Sequence, residues 1–291
     1  MPVRTNSDDI ILFDRKTVRR HRDRAVATFA DHDFLHREIA DQLADRLHDV
    51  KRDFATALDL GGGHGTTTLD PVPETMVTAD LSDRLLNRMP HGLHVSADEE
   101  FLPFADNAFD LIASTLSLHW VNDLPGALVQ IRRALKPDGL FLAAMLGGDT
   151  LIELRRAFLE AEAETTGGTS PHTSPVADVA DAGALLQRAG FALPVIDTDT
   201  ITVTYSDMFA LMRELRGMGE SNAVAARSRA GLRRDTLFAA ACAEFSSRAM
   251  SRRVATALIS VSHVSVASCI SFFQPSINVW CFRSSDAWSW S

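Results

Sequence analysis

Ala57-Leu58-Asp59-Leu60-Gly61-Gly62-Gly63-His64-Gly65 is the stretch around which the rest of the chain is organised. The apolar run from Phe54 to Leu60 reads as a buried strand and breaks directly into glycine. Glycines at 61, 63 and 65 permit a sharp turn and bring bare backbone N–H groups against a ligand, since no Cβ stands between. The following residues are expected to open a helix over 64–70, whose N-terminus would favour a carboxylate or phosphate. Taken alone, a tight surface turn explains the same residues.

Two further stretches add carboxylates at strand ends. Val77-Thr78-Ala79-Asp80 ends in an acid about 20 residues past the turn, where such a group meets a ribose hydroxyl pair in nucleotide-binding sheets. In Val95-Ser96-Ala97-Asp98-Glu99 a third strand ends in Asp98, ahead of a fourth, Phe109 to Ser114. A dinucleotide site needs a glycine where Thr66 stands. The compact Gly-x-Gly-x-Gly form instead resembles the first motif of S-adenosylmethionine (SAM) methyltransferases. On that resemblance the amides of Gly61, Gly63 and Gly65 suit the methionine carboxylate, with Asp59 near the ammonium. Asp80 suits the ribose, Asp98 the adenine amino group with Glu99 helping through its backbone N–H, and Ser114 borders the crevice.

Strands are expected at 54–60, 75–80, 93–97, 108–114 and 139–145, with helices at 64–70, 82–89 and 123–135. This alternation implies an α/β fold, a mostly parallel sheet with helices on both faces and ligands at the strands' carboxyl ends. The resemblance makes it the class I SAM-methyltransferase (Rossmann-like) fold. Four segments follow: a helical arm (1–53), the SAM-binding core (54–146), a substrate-side segment completing the same domain (147–248), and an atypical tail (249–291).

With 291 residues, 46% of them apolar, the chain can bury a sizeable core. A net charge of −9 argues against nucleic acid as a partner. Cysteines at 242, 269 and 281 have no ligand-like spacing and suit a reducing compartment. Met1 to Asp9, polar and with two acids, is not expected to act as a secretory signal. Asp8, Asp9, Asp14 and Asp23 argue against reading the arginines at 19, 20, 22 and 24 as a transit peptide. The body therefore reads as cytoplasmic, or as a protein of the mitochondrial matrix side with its presequence absent.

Phe13 to His48 reads as helical, with Val26, Phe29, Leu35, Ile39, Leu43 and Leu47 on one face. Such an arm often covers the SAM pocket in this fold. His32 and His36 beside Asp33 invite a metal reading. The wet face of an amphipathic helix is the stronger one, and no metal is assigned.

The later segments carry a closer resemblance. Phe13-Asp14-Arg15, Gly147-Gly148-Asp149-Thr150-Leu151, Gly167-Gly168-Thr169-Ser170-Pro171-His172, Arg188-Ala189-Gly190-Phe191 and Gly217-Met218-Gly219-Glu220-Ser221-Asn222 resemble the methyltransferase-like assembly factors of respiratory complex I and their bacterial relatives. The resemblance implies a partner in a complex I subunit and hydroxylation of an arginine. Hydroxylation needs an oxidant and electrons, so that activity rests wholly on the resemblance. More distantly, the chain is similar to the malonyl carrier-protein methyltransferases. Three functions stay open: an arginine-modifying SAM enzyme, a conventional methyltransferase on a small molecule or carrier-bound acid, and a SAM-binding assembly chaperone without turnover. His119, His172 and Glu220 are the catalytic candidates, with pocket wall, loop and cap roles as the alternatives. Asp149, Tyr205 and Asn222 are further polar groups at element ends, and Asp149 could cap a helix beginning at Thr150. Ile201 to Tyr205 alternates like a strand at the sheet edge.

Past Arg248 the composition changes. All sixteen glycines precede it, while three of the four tryptophans and a single acid, Asp286, follow it. No segment of this tail is recognised as the last strand of the sheet, and a shifted reading frame or alternative end would account for it. Val254 to Phe273 lacks charged residues and would be long enough to span a bilayer, about 20 residues. Its serines and its alternation from Val261 to Val266 favour a β-prone segment over a span; peripheral membrane association stays open.

Overall fold

The computed structural model describes residues 11–65, 69–70, 72–89, 92–168, 170–174, 179–228, 231–245, 251–259 and 280–283. Five strands form a parallel sheet: β1 (Thr56–Leu60), β2 (Thr75–Asp80), β3 (Leu93–Ser96), β4 (Phe109–Thr115) and β5 (Leu135–Leu146). Their spatial order is β3-β2-β1-β4-β5, with Leu58 of β1 registered between Val77 of β2 and Ile112 of β4. Leu58, Leu60, Leu111, Ile112 and Phe141 are fully buried, as strands covered on both faces require. The α/β reading is therefore borne out.

The N-terminal arm is two helices rather than one. α1 (Arg15–Ala25) is capped by the Asp14 side chain, which accepts from the Thr17 N–H. A 3₁₀ turn at Phe29–Asp31 separates it from α2 (Phe34–Asp49). Thr28, Asp31 and Asp33 are weak helix formers and make the break cheap. α2 lays Leu35, Ile39, Leu43 and Leu47 into the core at four-residue spacing.

The helix expected over 64–70 does not begin at His64, which lies in a turn closed by Gly65 N–H donating to the Gly62 carbonyl. Thr66–Thr68 lie outside the described residues. None of the described residues of that span, 64–65 and 69–70, is helical, so no helix N-terminus stands at His64. The helix expected over 82–89 is one short turn, α3 (Asp83–Leu86), whereas α4 (Leu124–Ala134) forms close to its expected bounds.

The substrate-side segment contributes α5 (Ile152–Thr165), α6 (Val179–Arg188), β6 (Ala192–Thr204), α7 (Met208–Met218) and α8 (Arg234–Phe245). Leu154, Phe158, Met208, Leu211 and Ala240 join α5, α7 and α8 in a second apolar cluster. Asp149 does not cap α5: its side chain is exposed, and the cap position falls to Leu151 in a left-handed conformation, φ 56°, with no side-chain cap.

The tail supplies what the sequence reading could not find. β7 (Ser251–Ile259) lies antiparallel between β5 and β6, pairing Met145 with Ala257 and running beside β6 from Ile196 to Thr204. β8 (Trp280–Arg283) continues the same slot, pairing with β5 and β6 nearer their other ends. β6 is thus the last strand of the sheet, as its alternation suggests. Most of the stretch weighed as a membrane span, from residue 260, lies outside the described residues. Among those described, no helix is long and apolar enough to cross a membrane. A chain ending at Arg248 would lose β7 and β8, stripping β6 of its hydrogen-bonded neighbours. Its thermal midpoint is expected about 10 °C or more below that of the full chain, a loss of several kcal/mol; equal midpoints in differential scanning calorimetry would show that the ladder contributes nothing.

Candidate active site

Strand ends, a glycine turn and one face of α1 converge at the carboxyl edge of the sheet. Asp59 and Asp80 end β1 and β2 and are buried, at 2% and 0% exposure. Gly61 sits at φ 77°, and a Cβ on it would fall 2.1 Å from Ser117 Oγ; one on Gly62 would fall 1.8 Å from the Asp59 carboxylate. Glycine is required because carboxylates and a hydroxyl crowd the turn. The Gly63 N–H donates to Asp80 Oδ2 at 3.2 Å, and Ser82 N–H to Asp80 Oδ1 at 2.7 Å. Gly65 is exposed and borders a cavity of about 600 Å³ with Gly63, His64 and Phe29. Ser114 is fully buried at the end of β4, and its hydroxyl has no partner.

The acids are answered from α1. The Arg22 guanidinium, itself 3% exposed, donates to Glu99 Oε1 at 2.9 Å, Asp80 Oδ1 at 3.3 Å and Ser117 Oγ at 2.9 Å. Arg15 grips Asp98 from Nε and Nη2, reaches Glu99, and donates to the Trp120 carbonyl at 3.0 Å. Arg19 meets Asp83 at 2.5 Å. Residues 15, 19 and 22 share one helix face, so a single stripe of arginine covers the strand ends. Glu99, expected to act through its backbone N–H, instead sends its carboxylate into the cradle.

Burial by itself would lower Arg22 and raise Glu99. The ion pairs more than offset this, holding Arg22 above its ordinary value and Glu99 down at about 2. Asp80 is pushed up by burial and by the nearby Glu99, against the pull of Arg22. Among the described residues two arginines, Arg15 and Arg22, answer Asp80, Asp98 and Glu99.

The turn after β4 forms a wall between this cradle and a second cavity of about 290 Å³. Ser117 looks into the cradle, while His119 and Trp120 line the cavity with Leu154, Phe158 and Glu220. The Glu220 side chain is 7% exposed, and its Oε2 accepts from His119 Nε2 and Trp120 Nε1, both at 2.9 Å. His119 Nδ1 is buried with no hydrogen-bond partner among the described residues. His172 also reaches this cavity, held by Glu162 at 2.7 Å; Glu162 in turn accepts from the N–H and hydroxyl of Ser170. Asn222 lines it but is spent on the chain itself, donating to the Pro171 carbonyl and accepting from Val224 N–H. Tyr205 packs against the α5–α8 cluster and borders a different cavity beside His32 and Glu214.

The arm's histidines do other things. His32 pairs with Glu214 at 2.8 Å. His36 is buried against the rings of Phe29 and His64, and burial lowers it to about 4. Asp33 pairs with Arg37. Among the described residues no group of three or more His, Cys, Asp or Glu could hold a metal ion.

Sequence reasoning missed Arg15, Arg22, Ser117 and Glu162 as site residues. The signal for the arginines was their four- and three-residue spacing, set against a run of strand-end acids. Removing Arg22 strands two buried carboxylates, so Arg22→Ala is expected to cost about 3–5 kcal/mol in urea unfolding. Glu99 also sets an acid limit. Its pKa is about 2 folded against an ordinary 4.5, so its stabilisation is complete above the unfolded value and disappears as pH falls through the folded one. Between those limits stability should fall more steeply with acid in the wild type than in Glu99→Gln; equal slopes in unfolding free energy against pH would contradict it.

Residues 58–143 match the family model described as "Methyltransferase domain". The Homo sapiens "Arginine-hydroxylase NDUFAF5, mitochondrial" is 51% identical over 216 residues, 72% of this chain and 62% of the relative. The Danio rerio protein of that name is 46% identical over 239 residues, 79% and 74% of the two chains. A "Malonyl-[acyl-carrier protein] O-methyltransferase" of Laribacter hongkongensis is 37% identical over 235 residues, 74% and 77%. The chain spans 62–63% of the length of the mammalian relatives. The crystal structure of a putative methyltransferase from Bacillus halodurans, 15% identical, superposes with a TM-score of 0.51 over 84% of this chain and all of that one, and so shares the fold. By its identity to the Danio rerio relative over most of both chains, this protein belongs to the NDUFAF5 family of methyltransferase-domain proteins.

Proposed function

We propose that the chain binds SAM in the acidic cradle and modifies an arginine side chain on a subunit of respiratory complex I. The observation carrying the first half is the gathering of Asp59, Asp80 and Glu99 about the glycine turn, where a Cβ on Gly61, Gly62 or Gly63 would fall under 3.0 Å from a side-chain atom, with Asp98 joined to Glu99 through Arg15. A cationic ligand with a hydroxyl pair suits that set. Arginine modification and the complex I partner follow from the family, whose curated members are named arginine hydroxylases and mitochondrial. A mitochondrial matrix-side or bacterial cytoplasmic setting goes with that partner.

When bound, SAM supplies an activated methyl group on a cationic sulfonium. This chain's residues bind and orient. Asp80 accepts from hydroxyls, Asp98 and Glu99 from N–H donors, and the buried Leu118–Trp120 turn keeps water from the boundary between cradle and cavity. Hydroxylation would further require an oxidant and two electrons that the cradle does not itself supply.

Calorimetry with SAM and its demethylated product tests the first half. Binding should occur in folded protein and weaken about tenfold or more in Asp80→Asn; the absence of heat with either ligand overturns it. Mass spectrometry of the partner subunit then separates the activities. A gained oxygen on arginine supports the proposal, a gained methylene makes the protein a methyltransferase, and no change leaves an assembly chaperone.

A further inference from the structure

We propose that the cavity beneath α5 and α7 is the receptor for the arginine side chain, with the guanidinium held by Glu220 and the aliphatic stem lying along the apolar wall. This rests on the reading above that an arginine is the substrate; the place and manner of its recognition come from the cavity itself.

The wall is apolar along most of its extent, with Leu146, Leu151, Leu154, Phe158 and Leu215 among its residues. Its polar floor is acceptor-rich. Glu220 Oε2 takes two N–H donors, while Oε1 accepts no hydrogen bond from a described residue. Burial pushes the Glu220 carboxyl up, but the neighbouring His119 ring more than offsets it and holds the group ionised. A carboxylate can only accept, so His119 Nε2 carries the hydrogen of their contact.

A nearly buried carboxylate at the floor of an apolar cavity suits a cationic N–H donor carried on an apolar stem, which an arginine side chain provides. An anionic substrate such as a carrier-bound malonyl group would instead meet the Glu220 charge. The cationic side chain already at the cavity, Arg227, is committed to Asp14 and the Val224 carbonyl. The floor also adjoins the cradle: Ser117 bonds Arg22 there, and Trp120 both donates to Glu220 and accepts from Arg15. A side chain seated on Glu220 lies across a single turn of chain from the proposed SAM site.

The test is titration of the full-length protein with Nα-acetyl-arginine amide and with the citrulline analogue, its neutral isostere, followed by calorimetry. The wild type should prefer arginine by about tenfold or more. Glu220→Gln should erase the preference while keeping SAM affinity within about twofold. Met212→Trp, which fills the cavity from α7 and leaves the carboxylate in place, should abolish binding of both amides and retain the wild-type circular dichroism. No arginine binding in protein that still binds SAM would overturn the cavity assignment alone, as would a preference surviving Glu220→Gln. An arginine preference in protein that binds no SAM would support the cavity and sink the SAM reading.

Discussion

A guanidinium buried among carboxylates is the contact on which the rest of this molecule depends. Arg22 lies almost wholly out of water, and so do Asp80 and Glu99. Isolated, each charge would be costly to bury. Together they bind α1 to the ends of β2 and β3, with Ser117 completing the set from the β4 side. Apolar packing supports the same arrangement: Phe13 meets the Trp120 ring edge-on at 5.4 Å, and Val18 packs with Ala223 and Val224. The arm is therefore part of the site, holding its floor and its charge at once.

That arrangement explains what could and could not be read from the chain. Asp59, Asp80 and Asp98 were legible because each ends a short apolar run, and a parallel sheet puts all such ends at one edge. Their partners were not. Arg15 and Arg22 lie 83 and 77 residues from the acids they bind at positions 98 and 99. Charge pairing across that distance has no local pattern. The helix expected over 64–70 does not form at the described residues of that span, because the Gly65 N–H closes a tight turn onto the Gly62 carbonyl instead. β7 was missed because the abrupt change of composition drew the eye from its backbone role. An antiparallel strand in a slot between two others needs only extended residues of the right number.

The two cavities and the cradle also divide the work. The larger opens at the glycine turn among Asp33, Arg37 and Asp41, a polar mouth. The smaller is apolar with one ionised floor, and only the Leu118–Trp120 turn parts it from the cradle. A transfer or oxidation step needs two reactants held in contact and out of water. One turn whose Ser117 serves one chamber and whose His119 and Trp120 serve the other meets that need with few residues.

The placement of β7 reaches into how the protein comes into being. On the ribosome, β1 to β5 emerge first and can associate in chain order, but β6 has nothing beside it until Ser251 to Ile259 are made. At ~5–20 residues per second the stretch from Thr204 onward takes seconds to appear. Throughout that interval the flank of β5 is an open hydrogen-bonding edge, the kind of surface that nascent chains hide with chaperones. The sheet can close on this flank only after Ser251 to Ile259 have been made.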